Sequence, residues 1–322
     1  MLNLLLISAA TALTALAAFP TQLVYQSPSG LFFENLAVRS CGKLLLTSVL
    51  SPTLHTLDPA VSNGTLEEVY TFPNGTSLTG IVEYQPDVYA VIVSSLDLTT
   101  RRAVLGTSAK LWRLELTSKA PAATPIAVVD SKLLNGLSAV PGLPDLVLAA
   151  DSDIGAVYSI NMRTGAARIA LQDAAMAAGA PTPALGINGL RARDGALYFT
   201  NSEKRTFARV ALAAGRGGVQ QGGAVRVLGT TMPATSMYDD FAMDSEGRAW
   251  VATPPGAVTL LFPRANGTWG QELAAGDPAG GDDVFMQPSS GAFGRAERTE
   301  KTLYVTTGAG QVLSVNTGGG DV

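Results

Sequence analysis

The sequence predicts an all-β fold, a six-bladed β-propeller built from four-stranded antiparallel blades. Three observations predict it: a motif that recurs six times, a shared order of apolar strands within each period, and one spare strand near the N-terminus. The motif places a polar residue before a short apolar stretch, and its steps are 45, 56, 53, 51 and 51 residues. Self-similarity at a period near 50 is typical of arrays of supersecondary units. The six polar residues are Glu34, Thr79, Asn135, Asn188, Asp239 and Ser290.

Each period repeats the same order of elements. The polar residue opens an inner strand, and a Gly-bearing hairpin, a fully apolar second strand and an alternating third strand follow. In the fifth period the turn is at Glu246-Gly247, and the next two strands are residues 249–253 and 258–261. Variable polar sequence then occupies the place of an outer fourth strand. Helical character is expected only in residues 171–176, over about one or two turns.

The two ends of the chain predict how the ring closes. The sixth period ends just after its third strand, whereas residues 21–26, TQLVYQ, form an extra strand before the first period. We predict that this N-terminal strand is the outer strand of the last blade, because closure removes exposed strand edges. The predicted propeller domain is therefore residues 18–322.

Residues 1–17 are interpreted as a secretory signal peptide. They are apolar and end at Ala15-x-Ala17, the small-residue pattern of a cleavage site. A membrane anchor is the alternative, but the stretch is shorter than the ~20 apolar residues that a spanning helix needs. The expected location is the secretory pathway or the extracellular space, with no membrane attachment after cleavage. Sequons at Asn63, Asn74 and Asn266 predict glycosylation there.

Composition and single residues exclude several classes of function. The chain is 47% hydrophobic and 15% charged with a net charge of −4, and its basic residues are scattered, so nucleic-acid binding is not expected. Cys41 is the only cysteine and His55 the only histidine, which cannot form a tetrahedral zinc site. A Cys/His dyad would need the two side chains together, and we expect a thiol without a catalytic role instead. The sequence does not predict the oligomeric state.

The six polar residues have a shared predicted position. Because the innermost strands of a propeller surround its central channel, equivalent positions at their beginnings form a ring at one mouth of that channel. Glu34, Asp239, Asn135 and Asn188 offer oxygen atoms, which suit a hard cation such as Ca²⁺. The alternative is that these side chains only solvate the channel and cap the strand ends. Spacing alone leaves both interpretations open.

Several motifs resemble a known family. They are Glu34-Asn35-Leu36-Ala37-Val38-Arg39, Asn188-Gly189-Leu190 with 194-DGALY-198, Asp239-Asp240-Phe241 with 246-EGRAW-250, and 287-QPSSGAFG-294 with 303-LYVT-306. Together they resemble the SMP-30/gluconolactonase-like six-bladed propellers, and most closely their secreted fungal branch. The resemblance implies that Glu34, Asn188 and Asp239 hold a divalent cation, that Asn135 faces the substrate, and that the cation polarises a lactone carbonyl.

The sequence also departs from that family. The usual Pro-Asp-Gly is Tyr238-Asp239-Asp240, and Asn201 stands where an aspartate usually follows the second strand. These changes indicate a channel mouth that is reshaped around the same ring.

The fungal branch includes hetero-Diels-Alderases of secondary metabolism. Such catalysis needs an apolar pocket that holds two π systems together, and it implies no cofactor. Met232, Met237, Tyr238, Phe285 and Met286 precede the fifth and sixth inner strands, so we expect them beside the mouth, although packing between blades is the alternative for each. In this hypothesis Glu34, Asn188 and Asp239 are catalytic, and Thr79, Asn135 and Ser290 bind substrate with Met237, Tyr238, Phe285 and Met286.

Three hypotheses follow, in order of preference. The first is a cyclase of the hetero-Diels-Alderase type that acts on a small apolar molecule. The second is a lactonase or related hydrolase that uses Ca²⁺ or another divalent cation on the same ring. The third is a secreted propeller that binds a ligand without chemistry.

Overall fold

The computed structural model describes residues 19–61, 64–100, 102–179, 185–231, 233–281 and 284–318. The expected signal segment, Asn63 and Met232 lie outside the described residues. Within the described ranges the secondary structure consists of strands and turns. A search of the same residues finds no helix that is long and apolar enough to span a membrane.

Six antiparallel sheets form the six blades, and the predicted six-bladed all-β fold is confirmed. The first strand, β1 (Thr21–Gln26), precedes blade 1, which contains β2 (Phe33–Val38), β3 (Leu44–Ser48), β4 (Ser51–Leu57) and β5 (Glu67–Thr71). Blade 2 contains β6 (Ser77–Gln85), β7 (Val88–Ser94), β10 (Ala109–Glu115) and β11 (Ala122–Val129), with an inserted hairpin of β8 (Leu96–Asp97) and β9 (Arg102–Ala103). Blade 3 contains β12 (Leu134–Val140), β13 (Leu143–Asp151), β14 (Ala156–Asn161) and β15 (Ala167–Gln172).

The remaining blades follow the same order. Blade 4 contains β16 (Ile187–Arg193), β17 (Ala196–Asn201), β18 (Thr206–Gly215) and β20 (Arg226–Thr230), and a short extra strand, β19 (Gly218–Gln221), pairs with the end of β18. Blade 5 contains β21 (Phe241–Met243), β22 (Ala249–Thr253), β23 (Ala257–Pro263) and β24 (Trp269–Gly276). Blade 6 contains β25 (Pro288–Phe293), β26 (Thr302–Thr307) and β27 (Gln311–Asn316).

Strand β1 closes the ring. It pairs antiparallel with β27, from Thr21 opposite Val315 to Gln26 opposite Gln311, and so becomes the outer strand of blade 6. Val24 and Tyr25 pack against buried side chains between blades 6 and 1. The predicted closure by the N-terminal strand is confirmed.

The helical prediction for residues 171–176 is wrong. Leu171 and Gln172 end β15, and the residues that follow form a turn. The backbone N–H of Ala175 donates to Asp173 Oδ1, and this local bond competes with helix propagation. Leu171 and Met176 are both buried in the core between blades 3 and 4, so their apolar character reflects packing between blades.

Glycines in the motif allow the innermost strands to approach one another. Gly136 and Gly189 directly follow the polar residues of blades 3 and 4. A Cβ on Gly136 would lie 2.6 Å from the carbonyl oxygen of Asn188, and a Cβ on Gly189 would lie 2.1 Å from Asp240 Oδ1. Both distances are far shorter than van der Waals contact, so larger residues would push the inner strands apart.

Candidate functional site

Five of the six predicted ring residues line one cavity. Glu34, Thr79, Asn135, Asn188 and Asp239 lie at the beginnings of the innermost strands of blades 1 to 5, and the cavity above them has a volume of about 460 Å³. This volume is within the range of small-molecule sites. We call these five residues the mouth ring.

Ser290 occupies a different level of the channel. Ser289 Oγ donates to the carbonyl oxygen of Phe33 at 2.6 Å, just as Thr79 Oγ1 donates to the carbonyl oxygen of Leu134 at 3.0 Å. In both cases the acceptor directly precedes the ring residue of the next blade. Ser289 is therefore the equivalent of Thr79, and Ser290 lies one position further along the strand, outside the cavity lining.

Ser290 belongs to a polar cluster that we call the channel layer, formed by the buried residues Asn35, Asp240 and Ser290 and the half-buried Arg191. Asp240 is 2% exposed, and its two carboxylate oxygens accept from the two guanidinium NH₂ groups of Arg191 at 3.0 and 3.1 Å. Asp240 Oδ2 also accepts from Asn35 Nδ2 and from Ser290 Oγ, each at 2.9 Å. A second cavity of about 630 Å³, which Arg191 helps to line, shares no described lining residue with the first. Glu34 lines the first cavity and Leu36 the second, so the intervening Asn35 and its partners in the channel layer lie between the two cavities.

Asn188 is the best-defined polar group of the mouth ring. Its side chain is buried, and its Nδ2 donates to Asp239 Oδ1 at 2.7 Å and to Ser202 Oγ at 2.9 Å. Its Oδ1 is buried and has no hydrogen-bond partner among the described residues. Turning the amide over would place that oxygen against the Asp239 carboxylate, so the neighbour fixes the orientation. The unpartnered oxygen is therefore a buried acceptor on a residue of the cavity lining.

The mouth ring contains the types of oxygen donor that bind a divalent cation. Glu34 and Asp239 supply carboxylates, and Asn188 supplies the unpartnered amide oxygen. Hard cations accept such mixed oxygen ligands. A group of three or more His, Cys, Asp or Glu side chains is absent from the described residues, so the amide would be a necessary ligand.

The inserted hairpin β8–β9 supplies an apolar wall that the sequence analysis missed. Leu96 and Leu98 line the cavity, and further apolar lining comes from Phe32, Val49, Leu50, Leu133, Leu185, Met237, Pro254, Pro255 and Pro288. The ion pair between Arg102 and Asp153 and the bond from Ala103 N to Lys132 O attach the hairpin to blade 3. The long connection between the second and third strands of blade 2 was its only signal in the sequence.

Two aromatic residues assigned to the mouth lie elsewhere. Tyr238 is fully buried in a core with Phe207 and Phe241, and this burial raises the pKa of its hydroxyl. Phe285 is 1% exposed and packs in the core that contains Trp250. Both fill space between blades, which was the alternative considered for them.

The two methionines of that group differ. Met237 is 37% exposed and lines the cavity. Met286 is 44% exposed and lies outside the cavity lining.

The cysteine, the histidine and the described glycosylation sequons lie outside the cavity lining. Cys41 is exposed in the turn between β2 and β3, whereas His55 is buried in β4, where burial lowers its pKa. Asn74 and Asn266 are exposed in turns, as glycosylation would require, and their modification stays a prediction.

We expect Leu98→Ser to weaken substrate binding with little effect on stability. The Leu98 side chain is 49% exposed and lines the cavity, so covering it with a substrate gains about 1 kcal/mol, or roughly fivefold in KM. Steady-state kinetics with an apolar substrate measures this change. Leu105→Ser is the matched control, because Leu105 is fully exposed in the same insertion and does not line the cavity. An equal rise of KM in both variants would contradict a wall role for Leu98.

Comparisons with known proteins agree with this fold. No protein-family model matches the chain. The chain is 28% identical over 325 residues to a Phoma protein named "Putative hetero-Diels-Alderase", covering 92% of this chain and 88% of that protein. It is 26% identical over 318 residues to a Sarocladium schorii protein that bears the same name with the designation asR5. That match covers 89% of this chain and 78% of the Sarocladium protein. The crystal structure of regucalcin, a calcium-binding protein from Agrobacterium tumefaciens, has a TM-score of 0.61 at 18% identity and covers 93% of this chain and 95% of regucalcin.

The fold and the cavity together define a six-bladed β-propeller with a small-molecule-sized site at one mouth of its channel. The chain shares its fold with regucalcin, and its sequence relatives include fungal proteins that are named as hetero-Diels-Alderases. The family resemblance predicted from the motifs is confirmed at this level.

Proposed function

We propose that this protein is a cyclase that catalyses a hetero-Diels-Alder reaction of a small, largely apolar molecule in the mouth cavity. The observation that carries the proposal is the composition of the cavity: an apolar wall from several blades and the β8–β9 hairpin, with polar groups concentrated in the mouth ring. The names of the two fungal relatives support the same reaction class.

The chemistry suits a cavity of this kind. A [4+2] addition converts three π bonds into one π bond and two σ bonds, and it requires no leaving group or redox partner. The site must hold the two π systems at about 3–3.5 Å in the correct orientation. Leu96, Leu98 and Met237 would contact the apolar body and exclude water, while Asn188 and Asp239 would orient polar substituents as charge shifts in the transition state. Glu34 would add a second carboxylate to the polar part of the cavity lining.

A metal-dependent lactonase is the second candidate, and it is favoured by the unpartnered Asn188 Oδ1, on a residue that lines the cavity together with the carboxylates Glu34 and Asp239. Glu34, Asn188 and Asp239 would hold the divalent cation. When bound, such an ion supplies Lewis acidity to a carbonyl group. Thr79 and Asn135 would then orient the substrate from the neighbouring blades.

The two candidates differ in their response to a chelator. The assay pairs an aryl vinyl ketone that carries a phenolic hydroxyl with ethyl vinyl ether and measures the yield and enantiomeric excess of the dihydropyran. We expect product formation above background, unchanged by EDTA. Hydrolysis of an aryl lactone that EDTA abolishes would favour the lactonase instead. A chain that turns over neither substrate would support a binding propeller.

We expect Asp239→Asn to reduce kcat/KM of the cyclisation by about ten- to a hundredfold, the loss of one or two orienting hydrogen bonds. In a metal-dependent hydrolase the same change removes a charged ligand and would cost several orders of magnitude. Circular dichroism and the melting temperature control for folding. Unchanged kcat/KM would contradict a role of Asp239 in either reaction.

A further inference from the structure

We infer that Ser202 is a positioning residue that holds Asp239 of the mouth ring at two points, one on its carboxylate and one on the peptide that precedes it. Ser202 is 2% exposed, lies in the turn between β17 and β18, and lines the mouth cavity. The inference rests on the proposed function, in which Asp239 orients polar substituents of the substrate. Because Ser202 acts through Asp239, we expect it to affect the rate of the reaction more than the binding of the substrate.

The first point of contact is on the carboxylate. Ser202 Oγ accepts a hydrogen bond from Asn188 Nδ2 at 2.9 Å, and the same nitrogen donates to Asp239 Oδ1 at 2.7 Å. The amide nitrogen has two hydrogens, and these two bonds employ both of them. Loss of the Ser202 acceptor would leave a buried N–H without a partner and would allow the amide to rotate away from the carboxylate.

The second point of contact is on the backbone. Ser202 Oγ donates to the carbonyl oxygen of Tyr238 at 2.9 Å, and Tyr238 directly precedes Asp239. A hydroxyl group has one hydrogen and two lone pairs, so a single oxygen can make both bonds at once. One side chain of blade 4 therefore contacts both the amide beside the carboxylate and the peptide that leads into Asp239.

The turn that carries Ser202 is itself held by buried hydrogen bonds. Asn201 is fully buried, and its Nδ2 donates to the carbonyl oxygens of Ala175 and Ala177, each at 2.9 Å. Its Oδ1 accepts from the backbone N–H of Lys204 across the turn at 2.9 Å. An aspartate at position 201 could not donate to the two carbonyl groups, so asparagine anchors the turn on which Ser202 lies.

Ser152 is a matched control in the neighbouring blade. It is fully buried, and its Oγ donates to the carbonyl oxygen of Ile187 at 2.6 Å. Ile187 directly precedes a mouth-ring residue, as Tyr238 does, so the two serines make the same bond between blades. Among the described residues, Ser152 makes no hydrogen bond to a mouth-ring side chain, and it lies outside the cavity lining. The contact with the amide of Asn188 therefore distinguishes Ser202 from Ser152.

Crystal structures of Ser202→Ala and Ser152→Ala test the positioning without turnover. We expect the Asp239 carboxylate to move by at least ~0.5 Å or to adopt two conformers in Ser202→Ala, and to stay in place in Ser152→Ala. Ser202→Cys fills the same space with a weak donor and acceptor, so it should show the same change and replaces Ser202→Ala if that variant does not fold. An unmoved carboxylate with a single conformer would overturn the inference.

Kinetics of the cyclisation provide the second test. Ser202→Ala should lower kcat about five- to tenfold with little change in KM, since it misplaces Asp239 without removing it. In an Asp239→Ala background the same change should alter kcat less than about twofold, because no carboxylate remains to be positioned. Ser152→Ala in the otherwise unchanged chain should also alter kcat less than about twofold, because the amide keeps both of its partners.

Three kinetic results would overturn the inference. An equal loss of kcat in both serine variants would assign the effect to the bond between blades. The same loss in the Asp239→Ala background would assign it to a general loss of structure. A rise of KM at unchanged kcat would assign it to direct contact of Ser202 with the substrate. If the unaltered chain catalyses no cyclisation, the proposed function fails, and the crystal structures still decide whether Ser202 positions Asp239.

Discussion

A chain that begins at Ser27 is expected to unfold at a much lower temperature than one that begins at Ala18. The missing segment contains β1, which pairs with β27 at the five positions from Thr21 to Gln26. Ladder hydrogen bonds contribute about 1 kcal/mol each, so the loss is roughly 5 kcal/mol before apolar packing is counted. Phe19 adds to it, because its ring contacts Trp250 edge to face at 4.9 Å. Thermal and urea unfolding, followed by circular dichroism, measure the difference.

The chain that begins at Ala18 is the control, because it retains β1 and corresponds to the expected mature protein. We also expect a synthetic peptide of residues 18–26 to restore part of the lost stability, since an extended peptide can add to an open sheet edge. Equal unfolding midpoints for the chains that begin at Ala18 and Ser27 would show that the pairing of β1 with β27 does not stabilise the closed ring.

Much of the fold could be predicted because the same constraint on packing, the close approach of the innermost strands, recurs in each blade. The innermost strands approach so closely that glycine is required at several equivalent positions, such as Gly136 and Gly189. The polar residue before each of these glycines lies at the channel mouth. A period in the sequence therefore corresponds directly to a ring in space, and five ring residues were placed from spacing alone.

The sixth position shows where spacing becomes insufficient. Ser289 and Ser290 are adjacent and chemically identical, and a repeat whose steps range from 45 to 56 residues cannot choose between them. The hydrogen bond from Ser289 Oγ to Phe33 O decides the register, because it connects blade 6 to blade 1. That contact joins residues from the two ends of the domain, and neither local sequence contains it.

The direction in which each side chain points could not be predicted from the sequence either. Met237 lines the cavity while its neighbour Tyr238 is buried between blades, because successive residues of an extended chain point to opposite sides. The same alternation separates Asp239 from Asp240: the first belongs to the mouth ring and the second to the channel layer. Their position before the fifth inner strand assigned both Met237 and Tyr238 to the mouth, and only the backbone distinguishes them.

The channel layer explains how a ring with two carboxylates can be held in place. Asp240 binds Arg191 and Asn35, so residues of blades 5, 4 and 1 meet at one carboxylate. Because Asp239 directly precedes Asp240, the backbone that carries the mouth carboxylate is fixed by the layer beneath it. The stability of the layer is therefore also a condition for the geometry of the site.

Asp240→Ala is expected to lower the free energy of unfolding by about 3 kcal/mol. The change leaves the Arg191 guanidinium without its carboxylate and also removes the acceptor of Asn35 and Ser290. Arg191 keeps 25% of its side-chain surface exposed, so water offsets part of the loss and places the value at the low end for broken buried ion pairs. Urea unfolding at neutral pH measures the change.

Two further variants assign the loss to the buried charge. Asp240→Ala combined with Arg191→Met removes both charges and should recover about 1–2 kcal/mol relative to Asp240→Ala alone, because no unpaired ion remains in the channel. Glu246→Ala is the exposed control: Glu246 is 68% exposed in its ion pair with Arg248, and its loss should cost less than about 1 kcal/mol. A double variant no more stable than Asp240→Ala would instead attribute the loss to the space left in the channel layer. That result would make the packing of Asp240 against Gly189, rather than its charge, the feature that holds the mouth ring in position.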